Sequence, residues 1–187
     1  MTLQAMRSWH TAGQRHATLL AQEERALMSG WLGTLDEQLA ADLLRHSAAW
    51  HVPARQVLAD RGAVPDVWFG VAAGAVLLGA CSPCGRESAL DVLEPGQWFG
   101  DMPLLCGSAQ PYTAHTLSPC TLLVMRRSTL RQLLGSHASL ATALAQLNWE
   151  RCSRLMERVA GLAELNLLDR TRRQLQVLRA RGLSASR

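Results

Sequence analysis

Apolar positions change their spacing three times along this chain. Between residues 14 and 30, Leu19, Leu20, Leu27 and Met28 recur at helical intervals, and Gly30 supplies a stop. Thr34 followed by Glu37 three residues later reads as a capping box. It predicts a second helix through Leu39, Leu43 and Leu44. From Trp50 to about Met125 the apolar runs shorten to 56–59, 67–71, 75–80, 89–93 and 121–125. Turn signals separate them: Arg61-Gly62, Ala73-Gly74, Pro83-Cys84-Gly85, Glu94-Pro95-Gly96 and Ser118-Pro119. Short strands punctuated this often predict a β-sandwich or barrel. After Arg127 the helical period returns. Ser128 caps a short predicted helix ending near Gly135. A longer helix follows, with Leu140, Leu144, Leu147, Leu155, Val159 and Leu162 on one stripe and Cys152 near it. At about 25 residues, or ~37 Å, it outruns what a small barrel covers. A second copy of the chain is the expected partner of that stripe, so these six residues are the predicted dimer interface.

Composition narrows the function. The chain has 187 residues and 48% apolar content, with mean hydropathy +0.01, enough for one cored domain plus helical appendages. No run reaches the ~20 apolar residues of a membrane span, and the first 16 residues lack a signal-peptide core, so a cytoplasmic location is expected. The net charge of +4 is lopsided: residues 1–150 carry a net −2, and residues 151–187 a net +6, all of it from arginine. Polyanion contact, if made, belongs to the C-terminal end. The sequence contains no lysine.

Candidate chemistry is sparse. Five cysteines (81, 84, 106, 120 and 152) are an odd count, which fits reduced thiols better than a disulfide framework. Cys81-Ser-Pro-Cys84 lies between two strand-like runs and reads as a hairpin turn, with thiol-based redox sensing as the alternative; the second CxxC that a four-cysteine zinc site needs is absent. His115, alone on a predicted strand, reads as structural rather than as a haem ligand. No hydrolase, metalloprotease or nucleotide-triphosphate motif is present, and no enzyme is expected.

The segment VLEPGQWFGDMPLLCGSAQPYTAHTL, residues 92–117, resembles the phosphate-binding cassette of the Crp/Fnr regulators, whose form is P-G-x-x-F-G-E, a short loop, then R-x-A. Gly70–Leu78 and Thr121–Leu134 are similar to flanking pieces of the same family. The resemblance implies a mainly β fold with flanking helices: a double-stranded β-helix (jelly roll) of the cyclic-nucleotide-binding type, plus a long C-terminal dimerisation helix. The expected organisation is a helical extension at 1–34, the sensor domain at 35–136, the dimer helix at 137–166 and the start of a DNA-binding domain at 167–187. Phe99, Gly100, Asp101, Met102, Tyr112 and Thr113 are the expected ligand contacts. Gly100 permits close backbone approach, a helix start at Asp101 offers free N–H groups, and Pro103 removes one of them. Tyr112 stands where the family's phosphate-pairing arginine is found. That exchange forfeits about 1.5–3 kcal/mol per charged hydrogen bond and argues against tight cAMP or cGMP binding.

The resemblance thus implies a homodimer that responds to a small-molecule effector of unknown identity, with no cofactor named. DNA contact here is expected to be weak and salt-sensitive, through Arg170, Arg172, Arg173, Arg179 and Arg181, because only the first helix of a DNA-binding domain is recognisable. A stand-alone interaction module without DNA readout is the alternative.

Overall fold

The computed structural model describes residues 19, 21–81, 87–163, 169, 172, 175 and 176. The chain divides into two compact units, Met1–Ala141 and Thr142–Arg187, taken separately below. The described elements of the first are α1 (Ala21–Met28), a 3-10 turn (Trp31–Thr34) and α2 (Glu37–Arg45), then eight strands: β1 (Ala48–Val52), β2 (Val57–Ala59), β3 (Val67–Ala73), β4 (Val76–Cys81), β5 (Glu87–Leu93), β6 (Trp98–Phe99), β7 (Thr113–Thr116) and β8 (Cys120–Arg126). The short helix α3 (Asp101–Cys106) interrupts the strands, and α4 (Arg127–Ser136) follows them. The last helix, α5 (Ala138–Ala163), begins in the first unit and continues into the second.

Two four-stranded antiparallel sheets, ordered β1-β8-β3-β6 and β2-β7-β4-β5, make the jelly roll. Their inner faces meet in one apolar core. Val67, Phe69 and Val71 of β3 and Leu122 and Val124 of β8 face Leu58, Val76, Leu93 and Ala114 of the other sheet. The period of two then sends Trp68, Gly70 and Ala72 to the outer face. They are buried there too, as are Leu123 and Met125 of β8. Unbroken apolar runs in β3 and β8 follow from burial on both faces.

Outside that sheet lies a tryptophan cluster. Trp98 sits 4.5 Å from Trp68, and Trp31 meets both rings edge-on at 5.7 and 6.0 Å. Gly70 is opposite Trp98 in the β3–β6 register, and a Cβ there would lie 2.8 Å from the indole. Only glycine fits. On the inner face of the same strand pair Phe99 stacks on Phe69, centroids 5.0 Å apart.

A buried polar contact ties α1 to this sheet. Thr121 Oγ1 donates to Glu23 Oε1 at 2.6 Å, and both residues are buried. His51 Nδ1 lies 3.1 Å from the same hydroxyl. A threonine has one proton, which here goes to the carboxylate, so His51 supplies its Nδ1–H. Thr121→Val keeps the shape but strips Glu23 of a donor. It is expected to cost about 1–3 kcal/mol, read as a lower urea midpoint with unchanged m-value.

Three sequence expectations change in detail. Asp36, not Thr34, caps α2: its Oδ1 accepts from the Leu39 N–H at 2.8 Å. Thr34 closes the preceding 3-10 turn by donating to the Trp31 carbonyl at 2.7 Å. Helix α4 starts at Arg127 after Arg126, with no side-chain cap from Ser128. The first helix is described from Ala21 only, and of the expected residues 14–20 only Leu19 lies within the described set. The Cys81–Cys84 segment does lie between paired strands, Cys81 being opposite Glu87 across β4–β5, but Cys84 is outside the described residues.

Candidate functional site

Strand β6 is two residues long and ends at Gly100, whose φ of +91° is left-handed. A side chain there would be strained, so glycine is what lets the chain leave the sheet and turn at once into α3. Asp101 opens that helix and is 1% exposed. Pro103 occupies its third position, leaving two N–H donors in the first three. Gly107 closes α3 in another left-handed conformation, its N–H donating to the Pro103 carbonyl.

The loop that follows is clamped to the β2–β3 turn by two backbone bonds. Gly62 N–H donates to the Gln110 carbonyl and Gln110 N–H to the Ala63 carbonyl, both at 2.8 Å. Gln110 is 3% exposed, with no hydrogen-bond partner for its Oε1 among the described residues. The sequence pattern gave no reason to single it out, because a glutamine in a loop ordinarily points to water. Beyond it, Tyr112 packs, partly buried, against the inter-sheet core. Thr113 donates its hydroxyl to the Gly79 carbonyl at 3.2 Å.

The six expected ligand contacts therefore fall into different environments. Gly100 and Asp101 form the buried start of α3, and Tyr112 packs against the inter-sheet core. Phe99 is spent on the core, stacked against Phe69. Met102 is 44% exposed on α3, and the Thr113 hydroxyl already has a backbone acceptor. His115 alternates with the inward Ala114, so it lies on the outer side of its sheet, away from the barrel interior. Among the described residues there is no group of three or more metal-ligating side chains. Cys120 is buried, and burial pushes its thiol up, away from the reactive thiolate.

The left-handed glycine and the short helix with its buried acid, between β6 and β7, lie within the span that the family comparison matches. Residues 49–137 match the cyclic nucleotide-binding domain. These residues resemble that family. A relative from Mycobacterium tuberculosis, the HTH-type transcriptional regulator Cmr, is 30% identical over 77 residues, 41% of this chain and 32% of its own. The CRP-like cAMP-activated global transcriptional regulator of the same organism is 24% identical over 116 residues, 62% of this chain and 52% of its own. The chain thus spans about a third of the one and about half of the other of these curated relatives. The N-terminal domain of a transcriptional regulator from Streptomyces coelicolor A3(2) superposes with a TM-score of 0.58 at 26% identity, covering 76% of this chain and 96% of that one. The cyclic nucleotide-binding domain here carries the family's fold, with long helix α5 after it, and Tyr112 lines it among apolar neighbours.

Helix α5 divides the predicted interface stripe. Leu140, Leu144 and Leu147 are buried within the single chain, together with Ala143. Leu155 is 49% and Val159 66% exposed, and with them Trp149, Cys152 and Met156 are exposed. At 100° per residue the exposed set is centred roughly 130° round the helix from the buried one. The expected interface is corrected accordingly: Leu140, Leu144 and Leu147 are not a free face. The side chain of Leu162 is outside the described residues, as are Arg170, Arg173, Arg179 and Arg181; Arg172 is exposed in a helical position. No helix among the described residues is long and apolar enough to cross a membrane.

Proposed function

We propose that this chain is the effector-sensing and dimerisation region of a Crp/Fnr-type transcription regulator. The observation that supports it is the buried Asp101 at the Gly100 turn, in a jelly roll against whose apolar core Tyr112 packs. A small molecule seated there touches α3 and the loop leading to β7. Differential affinity for two arrangements of that segment is what gives an effector leverage on the dimer and on attached DNA-binding heads. The reading has no catalytic step, and it takes place in the cytoplasm, where DNA is reached.

The effector is not held as a cyclic phosphate is. Tyr112 offers a phenol and ring surface, and cannot neutralise an anion at the inner face of the barrel. Calorimetry with cAMP and cGMP is expected to give no saturable heat up to ~100 μM for the native chain. Tyr112→Arg is expected to strengthen cyclic-nucleotide binding by about ten- to hundred-fold, the worth of one or two charge-assisted hydrogen bonds. Submicromolar cAMP binding by the native chain would overturn this assignment of the site. Native mass spectrometry of the purified chain tests the broader claim: a retained small molecule, lost in Asp101→Ala, supports it.

For the dimer, the proposal uses the exposed part of α5. Trp149, Cys152, Met156 and Val159 follow a three-four-three spacing, the seam of a two-stranded coiled coil. Glu150, Glu157, Arg151 and Arg158 take the b and c positions of that heptad, roughly 130° round the helix from the seam, and do not face the partner. In a parallel, in-register pair each seam residue faces its own copy. In the parallel arrangement Cys152 meets its own counterpart. Mild oxidation is expected to yield a covalent dimer that Cys152→Ser abolishes; persistence of that band in the variant would rule out this register.

A further inference from the structure

Gln110 combines two properties that a loop glutamine ordinarily lacks. It is buried, and its side-chain Oε1 has no hydrogen-bond partner among the described residues. Its backbone is fixed on both sides: the carbonyl accepts from Gly62 N–H, and the N–H donates to the Ala63 carbonyl. These two bonds carry on the β2–β7 pairing in the same register, in which Val57 lies opposite His115 and Ala59 opposite Ala114. The period of two then sets Gln110 on the face of Tyr112 and Ala114. Burial follows that alternation. Ala109 and Pro111 are exposed, Ala114 belongs to the inter-sheet core, and Tyr112 packs against it. Neither the clamp nor the core accounts for an amide here, because both bonds of the clamp are made by main-chain atoms. A methionine would have the same length and nothing to satisfy, whereas a buried amide oxygen without a donor destabilises the fold that keeps it.

We propose, resting on the effector-sensing reading above, that Gln110 is a specificity-determining residue of that site, its Oε1 accepting a hydrogen bond from the N–H of an uncharged amide or lactam. The carboxamide oxygen only accepts. A phosphate or carboxylate at neutral pH likewise only accepts, so it leaves Oε1 unpaired and brings a charge with no guanidinium at Tyr112 to meet it. An amide N–H pairs the oxygen without adding charge, and apolar surroundings strengthen the bond. A ring carrying that amide suits the neighbours on the same face, the Tyr112 ring and Ala114. The effector class is therefore a neutral amide or lactam on an apolar or aromatic body.

Nicotinamide and nicotinate test this, because they carry an amide and a carboxylate on the same ring. Amide signals of the isotope-labelled full chain are followed by NMR, the Gln110 side-chain pair being the one absent from Gln110→Met. Nicotinamide is expected to move that pair saturably at millimolar concentration, and nicotinate to bind about five- to ten-fold more weakly, the worth of one hydrogen bond. Gln110→Met is expected to weaken nicotinamide by a similar factor, read on the backbone amides of residues 99–113. It is also expected to raise the melting midpoint of the ligand-free chain by roughly 2–6 °C, since the unpaired oxygen is gone. A glutamine with a merely structural role, paired through water, gives the reverse shift. Equal binding of the two compounds, no movement with nicotinamide, or a lower midpoint in Gln110→Met each overturns the proposal. Should Gln110→Met not fold, the preference of the native chain, read on the same backbone amides, decides. The sensing reading fails separately: nicotinate moving residues 99–113 as strongly as nicotinamide removes the role of Gln110 and keeps a binding site there, whereas the absence of a retained molecule in native mass spectrometry counts against sensing whatever nicotinamide does.

Discussion

Trp98→Ala is expected to destabilise the first unit by about 3–5 kcal/mol, a large part of the ~5–15 kcal/mol that holds a typical domain together. The indole is 1% exposed and touches both other rings of the cluster, so its loss opens a cavity bounded by Trp31, Trp68 and Gly70. Gly70 has no side chain to collapse into that space. Trp31 belongs to the 3-10 turn, so the same substitution removes the surface on which the segment between α1 and α2 rests. The effect reaches the site by the shortest route available: Trp98 and Phe99 are the whole of β6, and Gly100 and Asp101 come next. Urea unfolding should show a fall in midpoint with little change in slope, and near-ultraviolet circular dichroism should lose intensity from the tryptophan cluster. A midpoint unchanged within error would mean that the cluster contributes no packing energy.

How much of this was legible beforehand depended on whether a signal was local. Strands β2, β3, β4, β5 and β8 were visible because each is an apolar run between turn residues. Strand β1, with Ala48, His51 and Trp50 mixed in no clear alternation, is fixed instead by its register against β8. Strand β6 is too short to show a period at all and exists through pairing with β3. The Gly100–Asp101 turn was readable because left-handed backbone and a helix start both leave marks in residue type. Burial of Gln110 was not, since it follows from two backbone bonds to a turn nearly fifty residues away. The Thr34–Glu37 pattern misled because Asp36 offers a stronger acceptor two residues later. The long helix carries the sharpest lesson. A leucine at every third or fourth place looks like one stripe, yet the set shifts from Leu140, Leu144 and Leu147 to another side once Trp149 is passed. Periodicity reports that a helix has an apolar face. It does not report that the face is used once.

That split makes a pair of substitutions on one helix separable in their effects. Val159→Glu places a carboxylate in the proposed seam, where in a parallel pair it meets its own copy. Burying or opposing two such charges is expected to weaken dimerisation by about a hundred-fold or more, on the order of 3 kcal/mol, while the unfolding of the first unit stays unchanged. Leu140→Ala acts the other way. Leu140 is fully buried in the first unit, so its truncation is expected to cost about 2–5 kcal/mol of that unit's stability, with dimer affinity affected only through the folded fraction. Sedimentation equilibrium over a range of concentrations gives the first quantity and urea unfolding the second. If Val159→Glu leaves the dissociation constant untouched while Leu140→Ala raises it at full folding, the copies meet through the buried leucines after a rearrangement of α5. The exposed seam would then have no part in assembly. The geometry argues for the opposite result, because Leu140 has no surface left to offer and Val159 has two-thirds of its own.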